Sequence, residues 1–203
     1  MVTIYSITLV FIAAGIAADN LVLAFISGNG IALFRATSLS QSKSKLLFSN
    51  WFLILGLLFI IQNMVLIYGQ WFGLLTKGIL KGNEQLMSIG ILFSMGIKMY
   101  REAKIKNSLS GQVSLSIKKV LDLAFGTSIY VFAFGFTMSW LNMNHFLVNL
   151  SLLSLLILFY ISGMLLGKYH FEKAFNYLNI TAALLVMAGS FLLVFEQLKY
   201  NLK

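Results

Sequence analysis

The chain has 203 residues, of which 59% are hydrophobic and only 10% are charged, and its formal net charge is +9. A soluble domain of this size is about half apolar and about a quarter charged, so the composition excludes an ordinary water-soluble fold. The basic residues lie almost wholly between long apolar runs, and we therefore expect no nucleic-acid-binding surface despite the positive charge.

Six apolar runs follow one another along the chain, most of them close to the ~20 residues with which a helix crosses a bilayer. They cover residues 3–26, 46–75, 86–100, 120–138, 146–166 and 177–195, and the third is expected to extend back to Glu84. The first run lacks a basic start and exceeds the length of a signal-peptide core, which predicts a retained span. The sequence thus predicts an all-α integral membrane protein with six transmembrane helices.

The connections between the runs differ in charge. Eleven of the fifteen basic residues fall on one side of the predicted topology: Arg35, Lys43, Lys45, Lys98, Arg101, Lys104, Lys106, Lys118, Lys119, Lys168 and Lys173. The positive-inside rule places these connections in the cytoplasm and both termini outside it.

The longest polar segment, residues 98–119, divides the chain into two halves of three spans, residues 1–106 and 107–203, which together form a single membrane domain. A gap-free pairing of GIAADNLVLA with GTSIYVFAFG aligns Gly15 with Gly126 and Asp19 with Tyr130. Repeats of three spans are inserted in opposite orientations, which is how many secondary transporters build a midplane site. The alternative is chance similarity, because glycine and alanine are common in membrane helices.

Asp19 lies well inside the first apolar run, with no basic residue nearby. A charge at that depth costs about 3 kcal/mol or more, so such a residue is a functional-site hypothesis by default. The alternative is a protonated Asp19 that is hydrogen-bonded to a neighbouring helix. Asn20 follows directly, and Gln62 with Asn63 forms a second polar pair deep in the second run.

Carboxylate and amide oxygens are the ligands that hard cations such as Mg²⁺, Ca²⁺ and Mn²⁺ prefer. For Asn20 and Asn63 an interhelical hydrogen bond is an equal alternative, and Thr127 and Ser128 more often bond to their own helix. Cysteine is absent, which excludes thiolate metal sites. No hydrolase, nucleotide-binding or redox motif is present, so we expect neither an enzyme nor a bound cofactor.

The third span contains MGIKMYREA, which is close to the pattern Gly-Gly-Lys-Met-Ile-x-Glu-Ala and preserves Gly96, Lys98, Met99, Glu102 and Ala103. With AADNLVLAFISGNG, QNMVLIYGQW and LAFGTSIYVFAFG in the other spans, the chain resembles the MntP-type manganese efflux pumps of bacteria, which are related to the LysE and TerC exporters. The resemblance implies a multi-pass protein of the bacterial cell (inner) membrane.

Tyr130 stands where that family has its second intramembrane aspartate. Two carboxylates would neutralise a divalent cation, whereas Asp19 alone leaves one positive charge in a low dielectric. Three interpretations are open. Tyr130 supplies a phenolic oxygen with Asp122 as a displaced acid; the solute has changed to a monovalent cation, an organic cation or an amino acid; or the chain has become a transport-inactive binding or regulatory protein.

The preferred hypothesis is a secondary transporter that exports a divalent cation, most directly Mn²⁺, by alternating access. Its predicted partners are the lipid bilayer and the small cation it carries, and the oligomeric state is left open. The predicted site is centred on Asp19 and adds Asn20, Gln62, Asn63, Thr127, Ser128 and Tyr130.

Overall fold

The structure, a computed structural model, describes residues 2–20, 24, 41–79, 82–108, 117–168 and 172–201. Within these ranges it contains helices and no strand, so the predicted all-α fold is confirmed. The helices are α1 (Val2–Asp19), α2 (Gln41–Thr76), α3 (Glu84–Ser108), α4 (Ile117–Trp140), α5 (His145–Lys168) and α6 (Glu172–Asn201). The third begins at Glu84, as expected.

Helix α1 is continuous to Asp19, Asn20 lies in a turn, and Ala24 is again helical. The rest of the predicted span up to residue 26 lies outside the described residues. The backbone N–H of Asn20 donates to the carbonyl of Ala17 at 3.1 Å instead of to Ile16. The Nδ2 of Asn20 donates to Ile16 at 3.4 Å in its place. Asparagine side chains compete with the backbone in this way, which places a turn at Asn20 within the predicted first span.

The most extensive helix contact joins α2 to α4. A Cβ atom built on Gly73 of α2 would lie 2.6 Å from the carbonyl oxygen of Phe136, and Gly69 lies in the same way against Phe132. Four residues forward on α2 correspond to four residues forward on α4, so the two helices run parallel. Small residues at such contacts let helix backbones approach closely in a membrane.

Helix α6 packs against both α1 and α3. On the α1 side Gly15 lies against Val186, and Ile12 lies against Gly189. Moving back along α1 therefore corresponds to moving forward along α6, which makes this pair antiparallel.

The α3 side follows the same rule. Gly96 lies against Met187, and the rings of Phe93 and Phe191 meet edge-to-face with centroids 5.4 Å apart. Helices α3 and α6 are therefore also antiparallel. In a chain whose spans cross a membrane in alternating directions, α2 and α4 must be parallel, and α6 must oppose α1 and α3. The observed directions agree with this alternation.

Many large apolar side chains are exposed on the outer faces of these helices, and several polar side chains are buried within the apolar core. On α2 and α5 the outward residues include Leu57, Ile60, Tyr68, Leu150, Leu158 and Ile161. Buried polar residues include Asn20, Gln62, Gln70, Ser88, Thr137 and Asn179. A large exposed apolar surface marks contact with lipid or another protein. Among the described residues, Gly56–Thr76 and His145–Leu166 are long and apolar enough to cross a membrane, and Ile7–Ala18 and Asn179–Phe195 are shorter apolar segments.

Gly73→Ala is expected to destabilise the α2–α4 contact, because the new methyl group would be forced against Phe136. Overpacking of this kind costs about 1–3 kcal/mol. Gly56→Ala, on the same helix, is the matched control, since a Cβ there meets nothing within 4 Å. Thermal unfolding in detergent should show a lower midpoint for Gly73→Ala and an unchanged or higher one for Gly56→Ala. Equal midpoints for the two variants would contradict this packing.

Candidate cation-binding site

Three of the predicted site residues meet where α1, α2 and α4 come together. The Nε2 of Gln62 on α2 donates to the Oδ1 of Asn20, at the end of α1, and lies 3.4 Å from the Oγ1 of Thr127 on α4. Asn20 is 0% exposed and Gln62 is 1% exposed. The structure therefore joins these three side chains in one buried polar cluster, which we call the amide cluster.

The orientation of both amides follows from one carbonyl. The oxygen of Ile16 can only accept a hydrogen bond, so Asn20 must present its Nδ2 to it. The Oδ1 of Asn20 then faces Gln62, which must present its Nε2 in turn. This arrangement leaves the Oε1 of Gln62 as a buried acceptor without a hydrogen-bond partner. An unsatisfied buried polar group costs about 1–3 kcal/mol, and it invites a cation or a proton donor.

The other predicted residues differ in how they relate to this cluster. Asp19 is the last residue of α1, and its side chain lies outside the described part of the structure. Asn63 is half-buried and follows Gln62 directly, so it projects about 100° further round α2. Ser128 is buried beside Thr127. The side chain of Asp122, the proposed displaced acid, also lies outside the described residues.

Tyr130 lies in a second polar group, formed between α3 and α4. Its ring is 3% exposed, and its hydroxyl donates to the Oε2 of Glu102 at 2.8 Å. The Nζ of Lys98 lies 3.9 Å from the Oε1 of Glu102 and 5.3 Å from the centroid of the Tyr130 ring. Tyr130 thus contacts a carboxylate on a neighbouring helix, and we call these three residues the carboxylate group.

Sequence reasoning noted Glu102 as a matching residue but did not place it in the site. The signal was present, because MGIKMYREA is the most specific match in the chain and puts Glu102 four residues after Lys98. Residues four apart share a helix face, which predicts their ion pair. The contact with Tyr130, which lies 28 residues further along the chain, has no such local signal.

Asn179 on α6 is a buried polar residue that sequence reasoning missed. It is 6% exposed, and its Nδ2 has no hydrogen-bond partner. Ala182 on α6 lies against Gly15 on α1. Asn179 is three residues before Ala182, and Asp19 is four residues after Gly15. At 1.5 Å per residue these steps are about 4.5 and about 6 Å, and the two helices are antiparallel. Asn179 therefore lies at nearly the same height as the end of α1.

The described residues contain no group of three or more histidine, cysteine or acidic side chains that could hold a metal ion. The available ligands are amide, hydroxyl and backbone oxygens together with single carboxylates.

The described residues are all helical, with an apolar exterior and a buried polar cluster, which is the class of a helical membrane protein. The family model described as "Putative manganese efflux pump" matches residues 45–193, the greater part of the chain, and the chain belongs to this family. A Campylobacter fetus subsp. fetus (strain 82-40) protein named "Putative manganese efflux pump MntP" is 25% identical over 185 residues, 89% of this chain and 93% of that protein.

No solved structure matches the chain. The family match confirms the resemblance found in the sequence, and it identifies the chain as a membrane transporter of the metal-efflux type. This is a family of transporters and not a class of enzymes, in agreement with the prediction.

Proposed function

We propose that this chain exports a divalent cation, most directly Mn²⁺, through a site formed by Asp19 and the amide cluster. The observation that carries the proposal is the buried Oε1 of Gln62, which lacks a partner beside the interrupted end of α1. The name of the Campylobacter fetus relative supports manganese as the solute. The set of amide and hydroxyl oxygens supports a hard cation.

The end of α1 adds a second attraction for a cation. The C-terminus of a helix carries a partial negative charge from the aligned peptide dipoles. Interrupted helices bind ions in this way in many secondary transporters. Asp19 is the last residue of α1, so in the proposal its negative charge adds to that of the helix end.

The pairing of helices supports the proposed inverted repeat. In an inverted repeat, α1, α2 and α3 of the first half correspond to α4, α5 and α6 of the second half, and the reverse. The α2–α4 contact then becomes α5–α1, and the α1–α6 contact becomes α4–α3. All four of these contacts occur among the described residues, and α3–α6 maps onto itself. The halves, residues 1–106 and 107–203, therefore interlock as one membrane domain in the proposal.

Alternating access between these halves is the proposed transport mechanism. The proposed orientation puts the three basic connections in the cytoplasm of a bacterial cell and both termini outside. The sequence has no nucleotide-binding motif, so the proposed driving force is an ion gradient or the membrane potential. In this scheme the lipid bilayer and the carried cation are the partners of the chain.

The test is elemental analysis of an exporter-deficient bacterium that expresses the chain and is loaded in turn with Mn²⁺, Mg²⁺ and Ca²⁺. We expect cell manganese to fall relative to cells carrying an empty vector. A fall in another cation, with manganese unchanged, would transfer the function to that solute. If no metal falls while the chain is abundant in the membrane, the export proposal is refuted.

A further inference from the structure

Asp19 by itself cannot neutralise a divalent cation, so a second negative charge is needed near the end of α1. Tyr130 on α4 is the residue that aligns with Asp19. Among the described residues, Glu102 on α3 brings a carboxylate to Tyr130. The hydroxyl of Tyr130 orients this carboxylate by a neutral hydrogen bond and leaves its negative charge in place.

The heights of Asp19 and Glu102 can be compared along α6. Gly15 and Gly96 lie against the same stretch of that helix, the first at Val186 and the second at Met187. Helices α1 and α3 both run antiparallel to α6, so they advance in the same direction. Asp19 is four residues beyond Gly15, about 6 Å, and Glu102 is six residues beyond Gly96, about 9 Å. The two acidic residues therefore differ in height by only about 3 Å.

Lys98 neutralises Glu102 only weakly. Its Nζ is 3.9 Å from Oε1, and the side chains of Lys98 and Glu102 are 55% and 40% exposed. Ion pairs that are this exposed and this long contribute little, so a divalent cation can replace the ammonium group. The Tyr130 ring, 5.3 Å from the Nζ, offers Lys98 a second contact through its π face.

We infer that Glu102 is the second carboxylate of the transport path: a cation takes the place of Lys98 at Oε1, while the hydroxyl of Tyr130 holds Oε2. The inference rests on the proposed function and adds a ligand to it. It also gives a role to Glu102, a residue of the motif that the proposed site left out.

The experiment measures Mn²⁺ binding to the purified full-length chain in detergent, by the loss of the paramagnetic resonance signal of free Mn²⁺. Glu102→Gln should weaken binding about tenfold or more, since one negative charge is removed without a change of shape. Glu84→Gln is the matched control. Glu84 lies at the opposite end of α3, where its carboxylate accepts a hydrogen bond from the backbone of Gly78 at 3.1 Å, and its replacement should leave binding unchanged.

Two further variants separate charge from structure. Tyr130→Phe removes the hydrogen bond to Glu102 but keeps both the ring and the carboxylate, so binding should weaken much less than in Glu102→Gln. The double variant Glu102→Gln with Tyr130→Asp returns a carboxylate to α4 and should recover most of the binding. Thermal unfolding and membrane abundance identify any variant that simply fails to fold.

Unchanged Mn²⁺ binding in Glu102→Gln would overturn the inference. Equal losses in Tyr130→Phe and Glu102→Gln would also overturn it, because the bond and not the charge would then matter. If the wild-type chain binds no Mn²⁺, Glu102 cannot be a ligand for that cation, and the inference is refuted as well. If the wild-type chain binds Mn²⁺ through Glu102 but does not lower cell manganese, export fails and the assignment of Glu102 stands.

Discussion

Asp19→Asn is expected to abolish manganese export and return cell manganese to the level of cells without the chain. Asparagine has nearly the same shape as aspartate, so the substitution removes a negative charge and little else. A unit charge about 4 Å from another contributes about 4 kcal/mol at an effective dielectric constant of 20, and a divalent cation feels twice that. Binding should therefore weaken by about a thousandfold or more.

Asp122→Asn is the matched control for Asp19→Asn, because Asp122 also lies in a predicted span but near its basic end. We expect export to persist in this variant. The measurement is cell manganese after a manganese load, with the amount of each variant in the membrane determined in parallel. Export that survives in Asp19→Asn and fails in Asp122→Asn would move the acidic site to the start of α4.

Gln62→Met should have the second-largest effect on export. It removes the Oε1 that lacks a partner and also leaves the Oδ1 of Asn20 without its donor. The loss of a buried hydrogen-bond partner costs about 1–3 kcal/mol in stability, so the thermal midpoint should also fall. We expect Mn²⁺ transport into inverted membrane vesicles to drop about tenfold or more, in line with the loss of an oxygen ligand worth roughly 1.4 kcal/mol.

Gln70→Met is its control on the same helix. Gln70 is also buried, and its Nε2 donates to the Oδ1 of Asn149 on α5 at 2.6 Å, eight residues away from the amide cluster along α2. This variant should lose a similar amount of stability and keep its transport. If both variants transport equally well, the amide cluster is interhelical glue, the alternative that the sequence left open.

The helices themselves could be predicted from the sequence because their signal is local. Long apolar runs and the gaps between them predicted the all-α fold, and Glu84 was correctly placed at the start of α3. The motif around Lys98 and Glu102 was equally readable, and the family match confirms the resemblance that it carries. These features depend on residues that are close together along the chain.

The turn at the end of α1 could not be predicted from local sequence patterns. Asn20 lies in a run whose hydropathy predicts continuous helix, and only the hydrogen bonds at Ile16 and Ala17 show the turn at Asn20. Backbone and side-chain donors compete for the same carbonyl with nearly equal energies, so composition cannot choose between them.

The sequence by itself determined that this is a helical membrane protein, which acidic and amide residues lie in its apolar runs, and that Tyr130 departs from its family. The tertiary structure alone decided that Gln62 meets Asn20 and Thr127, and that Tyr130 meets Glu102. The reason is physical: each contact joins residues 28 to 65 positions apart along the chain, and such pairs are set by which helices pack together and in which direction.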